Sequence, residues 1–101
     1  GSSSPNRVGP GESVTITTDY SVALPSSMSQ TSVKEAWVLK KDGQKLADLP
    51  TKSAKRSAGG WQSDAEITVP ANIEAGTYVI EHRVQAGSSY DTDESVFVVR
   101  A

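Results

Sequence analysis

The sequence predicts an all-β domain built as an antiparallel sandwich of about seven strands. Two stretches within Gly60–Val84, one on each side of a turn, alternate apolar and polar residues with a period of two, which favours half-buried strands over helix. Turn residues recur about every eight to twelve positions, the rhythm of a small sandwich. The 101 residues suffice for one domain with a single core, and no internal repeat is present.

Three strands are predicted in the first half of the chain: Ser13 to Leu24, Val33 to Lys41 and Leu46 to Leu49. Only a rudimentary strand precedes Pro10, which fixes φ in the turn before Ser13. A polar loop, 25–32, separates the first two of the three strands. Asp42 and Gly43 predict a hairpin between the next two, because a type I′ turn requires positive φ at both central positions.

Three further strands are predicted in the second half: Trp61 to Val69, Tyr78 to Gln85 and Glu94 to Arg100. The segment Thr51–Gly59 is rich in Lys, Ser and Ala and is expected to be a connection. Ala71–Ala75 predicts at most a single helical turn. The inward residues predicted on these strands are Trp61, Ser63, Ala65, Ile67, Val69, Tyr78, Ile80, His82, Val84, Phe97 and Val99.

Composition excludes several classes of function. The chain has no cysteine, which removes disulfides, thiolate metal ligands and cysteine nucleophiles. A formal net charge of −2 provides no long-range field for a polyanion, so nucleic-acid binding is not expected. The apolar runs are far too short to span a bilayer, so no membrane insertion is expected. Because His82 is the single histidine, a conventional zinc site is excluded, and no cofactor is expected.

The N-terminus is expected to lie outside the fold. Gly1–Ser4 are typical of a cloning remnant followed by a linker, so we expect residues 1–5 to precede a single domain that spans 6–101. The natural protein is expected to be longer, and other domains of the same polypeptide are therefore expected neighbours.

Two aromatic residues indicate a particular kind of sandwich. Trp37 lies in the middle of its predicted strand, where immunoglobulin-like folds often bury a tryptophan. Tyr78 follows Gly76 and Thr77 at the start of a strand, which is the position of a tyrosine corner. We therefore expect both side chains in the core and the Tyr78 hydroxyl bonded to backbone near Ile73.

The sequence also resembles a family of modules. Pro10–Val14 resembles the "PGE-S-V" opening of bacterial immunoglobulin-like and fibronectin type III-like modules. Val69-Pro70 together with Ala75–Tyr78 resembles their recurrent "lP…G-x-Y" segment. The resemblance covers Val8–Arg100, and the chain departs from antibody domains in lacking their paired cysteines. It implies an immunoglobulin-like β-sandwich.

The resemblance further implies a noncatalytic protein-interaction or spacer module of an exported or cell-surface bacterial protein, in the periplasm or at the cell surface. It brings no catalytic residues, and the chain has no Gly-x-Ser-x-Gly elbow. The alternative is a carbohydrate-binding module attached to a larger secreted enzyme or adhesin. That alternative requires Trp61 and Tyr90 to be exposed and coplanar, so that a sugar ring can stack on them.

Two polar features have competing interpretations. His82 is expected to be a partly buried structural residue, satisfied by backbone or by a carboxylate such as Glu35; catalysis and pH sensing are the alternatives. Asp91–Glu94 places three carboxylates within four residues. Calcium binding is one interpretation of that cluster, and a solvated strand edge that discourages strand pairing is the other.

The candidate partner-binding residues are Met28, Trp61, Tyr90, Lys52, Lys55 and Arg56. In an immunoglobulin-like sandwich the loops 26–32 and 87–91 share one end, so Met28 and Tyr90 are expected on one surface suited to protein contacts. The basic segment that contains Arg56 fits an acidic protein partner or an anionic polysaccharide, or is simply a soluble loop.

Overall fold

The computed structural model describes residues 1–101 and contains nine strands and no helix. The strands are β1 (Ser2–Ser4), β2 (Arg7–Val8), β3 (Ser13–Val22), β4 (Thr31–Lys41), β5 (Gln44–Asp48), β6 (Lys52–Arg56), β7 (Gly59–Thr68), β8 (Gly76–Ala86) and β9 (Ser89–Val99). The all-β class with antiparallel sheets is confirmed. No helix is available that could cross a lipid bilayer.

The strands form two sheets. One has three strands in the order β1-β3-β7, and the other has six, in the order β2-β9-β8-β4-β5 with β6 also paired to β4. Every pair is antiparallel except β2 and β9, which are parallel. β3 and β7 pair along their whole lengths, from Ser13 opposite Thr68 to Val22 opposite Gly59. β7 therefore forms one edge of the three-stranded sheet, and β5 and β6 together form one edge of the six-stranded sheet.

One hydrophobic core joins the inner faces of the two sheets. Its buried residues are Val8, Val14, Ile16, Trp37, Leu39, Ile67, Val69, Tyr78, Ile80, Phe97 and Val99. Tyr78 and Phe97 stack at its centre, with ring centroids 5.7 Å apart. Most of the predicted inward residues of β7, β8 and β9 are buried, because successive strand residues point to opposite sides of a sheet, while Trp61, Ala65 and Val84 are half-buried.

The tyrosine corner is present. Tyr78 is 1% exposed, and its hydroxyl donates a hydrogen bond of 2.6 Å to the carbonyl oxygen of Glu74, next to the predicted acceptor Ile73. Ala71–Ala75 forms a turn instead of the single helical turn that its sequence suggests. Pro70 lies directly before it and cannot donate a backbone hydrogen bond, while the Glu74 carbonyl is bonded by Tyr78.

The N-terminal segment pairs with both sheets at one flank of the sandwich, contrary to the expectation that residues 1–5 lie outside the fold. Ser2–Ser4 pair with β3, and β2 pairs with β9 of the other sheet, so the chain crosses between the sheets. Ser3 Oγ also donates to the carbonyl oxygen of Val96. Three serines carry no strand pattern, but their backbone groups pair with the edge of β3 regardless of side chain.

The predicted connection Thr51–Gly59 contains β6, which is the second departure from expectation. β5 pairs with the C-terminal half of β4 after a hairpin at Asp42 and Gly43, whose φ values of 52° and 77° confirm the predicted turn. β6 then pairs with Thr31–Glu35 at the other half of β4. The β6 sequence, Lys-Ser-Ala-Lys-Arg, has no apolar alternation that would predict a strand. It forms one because its backbone groups pair with those at the edge of β4. As a result β6 does not pair with β7, and that flank of the sandwich stays open.

A turn at the opposite end from the β3–β4 loop carries an ion pair. Glu12 Oε1 accepts from the backbone N–H of Gly9 and lies 2.8 Å from Arg100 Nη1. The Arg100 guanidinium and then the Gly9 N–H hold the pKa of Glu12 below its ordinary value of 4.5. The turn is therefore stabilised by the ionised form of Glu12.

We expect Tyr78→Phe to lower the free energy of unfolding by about 1–2 kcal/mol, because it leaves the Glu74 carbonyl without its donor. Tyr90→Phe is the matched control: that ring is 61% exposed, and the same atom is removed. Urea unfolding of the two variants should show the loss only for Tyr78→Phe. Equal effects at the two positions would contradict the corner assignment.

Glu12→Gln should destabilise the domain at neutral pH and have less effect as the pH falls. Since the folded pKa of Glu12 is lowered, its contribution is present above about 4.5 and is lost as the pH drops through the lower folded value. Urea midpoints of wild type and Glu12→Gln should converge as the pH falls below about 4.5. In an Arg100→Gln background the convergence should be weaker. A difference that does not change with pH would refute this account.

Candidate functional site

A cleft opens at the end of the sandwich where β3 ends and β4 begins. We call it the end cleft; its volume is about 390 Å³. Val22, Val33, Val84 and Ala86 give it mostly apolar walls. It forms because the inward residues of β8 become smaller towards this end, from tyrosine and isoleucine to valine and alanine. The sheets therefore separate faster than side chains fill the space between them.

Met28 and Tyr90 both line the end cleft. The two loops predicted to share one end of the sandwich both line it. Met28 is 46% exposed and Tyr90 is 61% exposed, so both present apolar surface to solvent. The Arg83 guanidinium lies 4.0 Å from the centre of the Tyr90 ring and covers one of its faces.

Arg56 and Trp61 extend this surface around the end of the sandwich. The Arg56 guanidinium lies 4.6 Å from the Trp61 ring, and its Nε donates to the hydroxyl of Tyr20 at 3.4 Å. Tyr20 lines the end cleft and is the cross-strand neighbour of Trp61. Trp61 is half-buried, and its Nε1 donates to the Ser57 carbonyl at 3.0 Å. The structure thus groups Met28, Tyr90, Arg56 and Trp61 around one end.

The other two basic candidates lie elsewhere on β6. Lys55 is exposed opposite Ser32 of β4, and Lys52 lies opposite Glu35, beside a second cleft described below. The sequence predicts a loop for this segment, but the structure holds the three basic side chains on a paired strand. They do not converge on a single anion site.

The two candidate sugar-stacking rings are placed on different sheets. Trp61 lies on β7 and Tyr90 on β9, and an arginine guanidinium covers one face of each ring. Trp61 is also held by the bond of its Nε1 to the Ser57 carbonyl. The two rings therefore do not present one open, flat platform to a ligand.

A polar layer lies in the interior between the core and the end cleft. His82 Nε2 donates to Glu35 Oε1 at 2.8 Å, and each residue is 2% exposed. The expectation that a carboxylate such as Glu35 satisfies His82 is confirmed. Trp37 packs against the imidazole, with ring centroids 5.2 Å apart. The hydroxyls of Thr18 and Ser63 are buried in the same interior without hydrogen-bond partners.

The acidic segment Asp91–Glu94 lies along β9 and is not gathered into a ligand shell. No group of three or more His, Asp or Glu side chains in the structure is arranged to hold a metal ion. Asp93 contacts the N-terminal amine of Gly1, which lowers its pKa. Asp91 lies on the wall of the end cleft and contributes one negative charge there.

A second cleft lies on the open flank, between β7 and the connection 49–51 that joins β5 to β6, with Lys52 at the start of β6 also lining it. We call it the flank cleft; its volume is about 410 Å³, and Trp37, Ala65 and Ile67 are among its walls. Trp37 is 4% exposed, and its Nε1 has no acceptor. A buried donor without a partner costs about 1–3 kcal/mol, so this indole is a place where an acceptor would be stabilising.

Sequence reasoning missed both clefts. The end cleft depends on Tyr20, Val33 and Val84, which the alternation marks simply as inward-facing. The taper of side-chain size along β8 was a usable signal for a gap at that end. The flank cleft had no such signal, because it depends on β6 pairing with β4 in place of β7.

The comparisons with known proteins bear on the fold alone. No protein-family model matches the chain, and no curated protein sequence matches it. Among solved structures it is similar to the crystal structure of Spo0M, a sporulation control protein from Bacillus subtilis, with a TM-score of 0.64 and 13% sequence identity. The match covers 98% of this chain and 47% of that chain, so the chain spans about half the length of Spo0M.

The Glu35–His82 pair should behave as one unit in a double-mutant cycle. We expect His82→Leu to cost about 3–5 kcal/mol, because it leaves Glu35 buried without a partner. Adding Glu35→Leu should recover much of that loss, since two apolar side chains need no partners. Urea unfolding of wild type, both single variants and the double variant measures the coupling. Strictly additive effects would contradict the pairing.

Proposed function

We propose that this chain is a noncatalytic protein-interaction module of an exported or cell-surface bacterial protein and that the end cleft is its binding surface. The observation that carries the proposal is the joint exposure of Met28 and Tyr90 at the rim of an apolar cleft. Tyrosine, methionine and arginine are enriched in protein interfaces, and all three types occur at this end. The extracytoplasmic location is supported by the sequence resemblance alone.

Two further roles are outcomes of the same test. A passive spacer is compatible with the elongated domain, whose principal extents are 53 × 22 × 17 Å. A carbohydrate-binding module is less well supported, because Trp61 and Tyr90 lie on different sheets and each has one face covered by an arginine.

A photo-reactive methionine analogue tests the proposal selectively. Met28 is the single methionine of the sequence, so uniform incorporation places the crosslinker at the rim of the end cleft. After irradiation of cells that produce the protein, we expect discrete protein adducts that Tyr90→Ser abolishes. Val96→Ser is the matched control, because Val96 is 52% exposed on the strand that also carries Tyr90.

The alternatives predict different results. A spacer gives no discrete adduct, and adducts that survive Tyr90→Ser would show that the end cleft is not the contact surface. Titration with oligosaccharides under tryptophan fluorescence tests the carbohydrate role. A saturable change that is lost in Trp61→Ala would favour that role over protein binding.

A further inference from the structure

β7 has the longest unpaired strand edge in the molecule. It spans ten residues and pairs only with β3, whereas β5 and β6 at one edge of the other sheet span five residues each. At the opposite edge of that sheet, β9 pairs with β2 at Val98 and Val99, and Ser3 of the N-terminal segment donates to its Val96 carbonyl. Unpaired N–H and C=O groups along such an edge are a template for an added strand. This surface is separate from the end cleft and goes beyond the function proposed for it.

The flank cleft lies beside this edge and offers a place for one inward side chain of an added strand. Its walls include Trp37, Leu49 and Ile67, and its volume of about 410 Å³ is in the range of ligand-binding clefts. A guest side chain with an apolar stem would contact these walls, and a polar tip would lie near Thr51 and Thr68, which also line the cleft.

The negative charge of the β3–β7 sheet favours an added strand that carries basic side chains. β3 and β7 contain Asp19, Asp64 and Glu66 and no lysine or arginine. Asp64 and Glu66 are exposed on the outer face, and neither forms an ion pair. An added strand would place its own outward side chains next to these carboxylates, so lysine or arginine is favoured there.

A second copy of this chain is a poor guest at the same edge. Two β7 strands paired antiparallel about Ala65 would place Asp64 of one copy opposite Glu66 of the other, twice in each dimer. Like charges directly opposite one another destabilise a strand pair. The charge pattern therefore disfavours self-association and favours a different polypeptide.

We propose that the free edge of β7 and the flank cleft bind an extended, basic segment of a partner protein by strand addition. The partner's lysine or arginine side chains lie beside Asp64 and Glu66 on the outer face. One inward side chain enters the flank cleft and contacts its apolar residues Leu49 and Ile67.

The probe is an acetylated, amidated peptide with the sequence Thr-Lys-Val-Lys-Gln-Lys-Val-Lys-Thr, whose lysines share one face of a strand. Titrated into the full chain, it should shift and protect backbone amides along β7 and shift the indole N–H of Trp37. Backbone amides of β8, which lies between β9 and β4 in the other sheet, should remain unchanged and are the internal control.

Two substitutions that change net charge equally provide the decisive comparison. Glu66→Lys should weaken binding about tenfold at low ionic strength, and Glu94→Lys, exposed on β9, should have little effect. A peptide with Glu in place of Lys should prefer Glu66→Lys to wild type. Tyr90→Ser at the end cleft should not change peptide binding, which separates this proposal from the preceding one.

Several results would overturn the assignment. Equal weakening by Glu66→Lys and Glu94→Lys would reduce the interaction to net charge. Amide shifts outside β7, or no saturable binding, would remove the edge as the site. Protection of β7 amides without peptide, together with a doubled mass in sedimentation, would assign the edge to a second copy.

Discussion

The pairing of β4 on both of its edges is the constraint on which the rest of the structure depends. β8 pairs along one edge, and β5 and β6 divide the other edge between them. As a result, one inward side chain of β4 lies in each of four regions: the end cleft, the polar layer, the flank cleft and the core. Val33 lines the end cleft, Glu35 belongs to the polar layer, Trp37 reaches the flank cleft and Leu39 joins the core.

The use of β6 at β4 explains why the two flanks differ. On one flank, β1 pairs with three residues of β3, and β2 pairs with two residues of β9 in the other sheet. On the other flank, β7 is left with one partner because the preceding strand pairs with the opposite sheet. This arrangement leaves the edge of β7 without a backbone partner while the main core stays buried.

The polar layer fixes the register of β4 against β8. Glu35 and His82 lie on neighbouring strands, and a slip of β4 by one residue would turn Glu35 outward and Lys34 inward. Burial of such a pair is costly unless both partners are present, so any register that separates them is disfavoured. The same layer ends the apolar core, and beyond it the smaller side chains leave the end cleft.

The sequence by itself determined the all-β class, the inward faces of β7, β8 and β9, the Asp42-Gly43 hairpin and the tyrosine corner. Each of these follows from alternation or from local turn geometry within a few residues. Tertiary structure alone decided that Ser2–Ser4 and Lys52–Arg56 are strands, because their pairing depends on backbone edges offered by β3 and β4. For the same reason the flank cleft was invisible in the sequence. The end cleft had a signal in the taper of side-chain size along β8, and Met28 and Tyr90 beside it could be selected from loop position. Long-range pairing has no signature in the side chains of a segment that is held by its backbone alone.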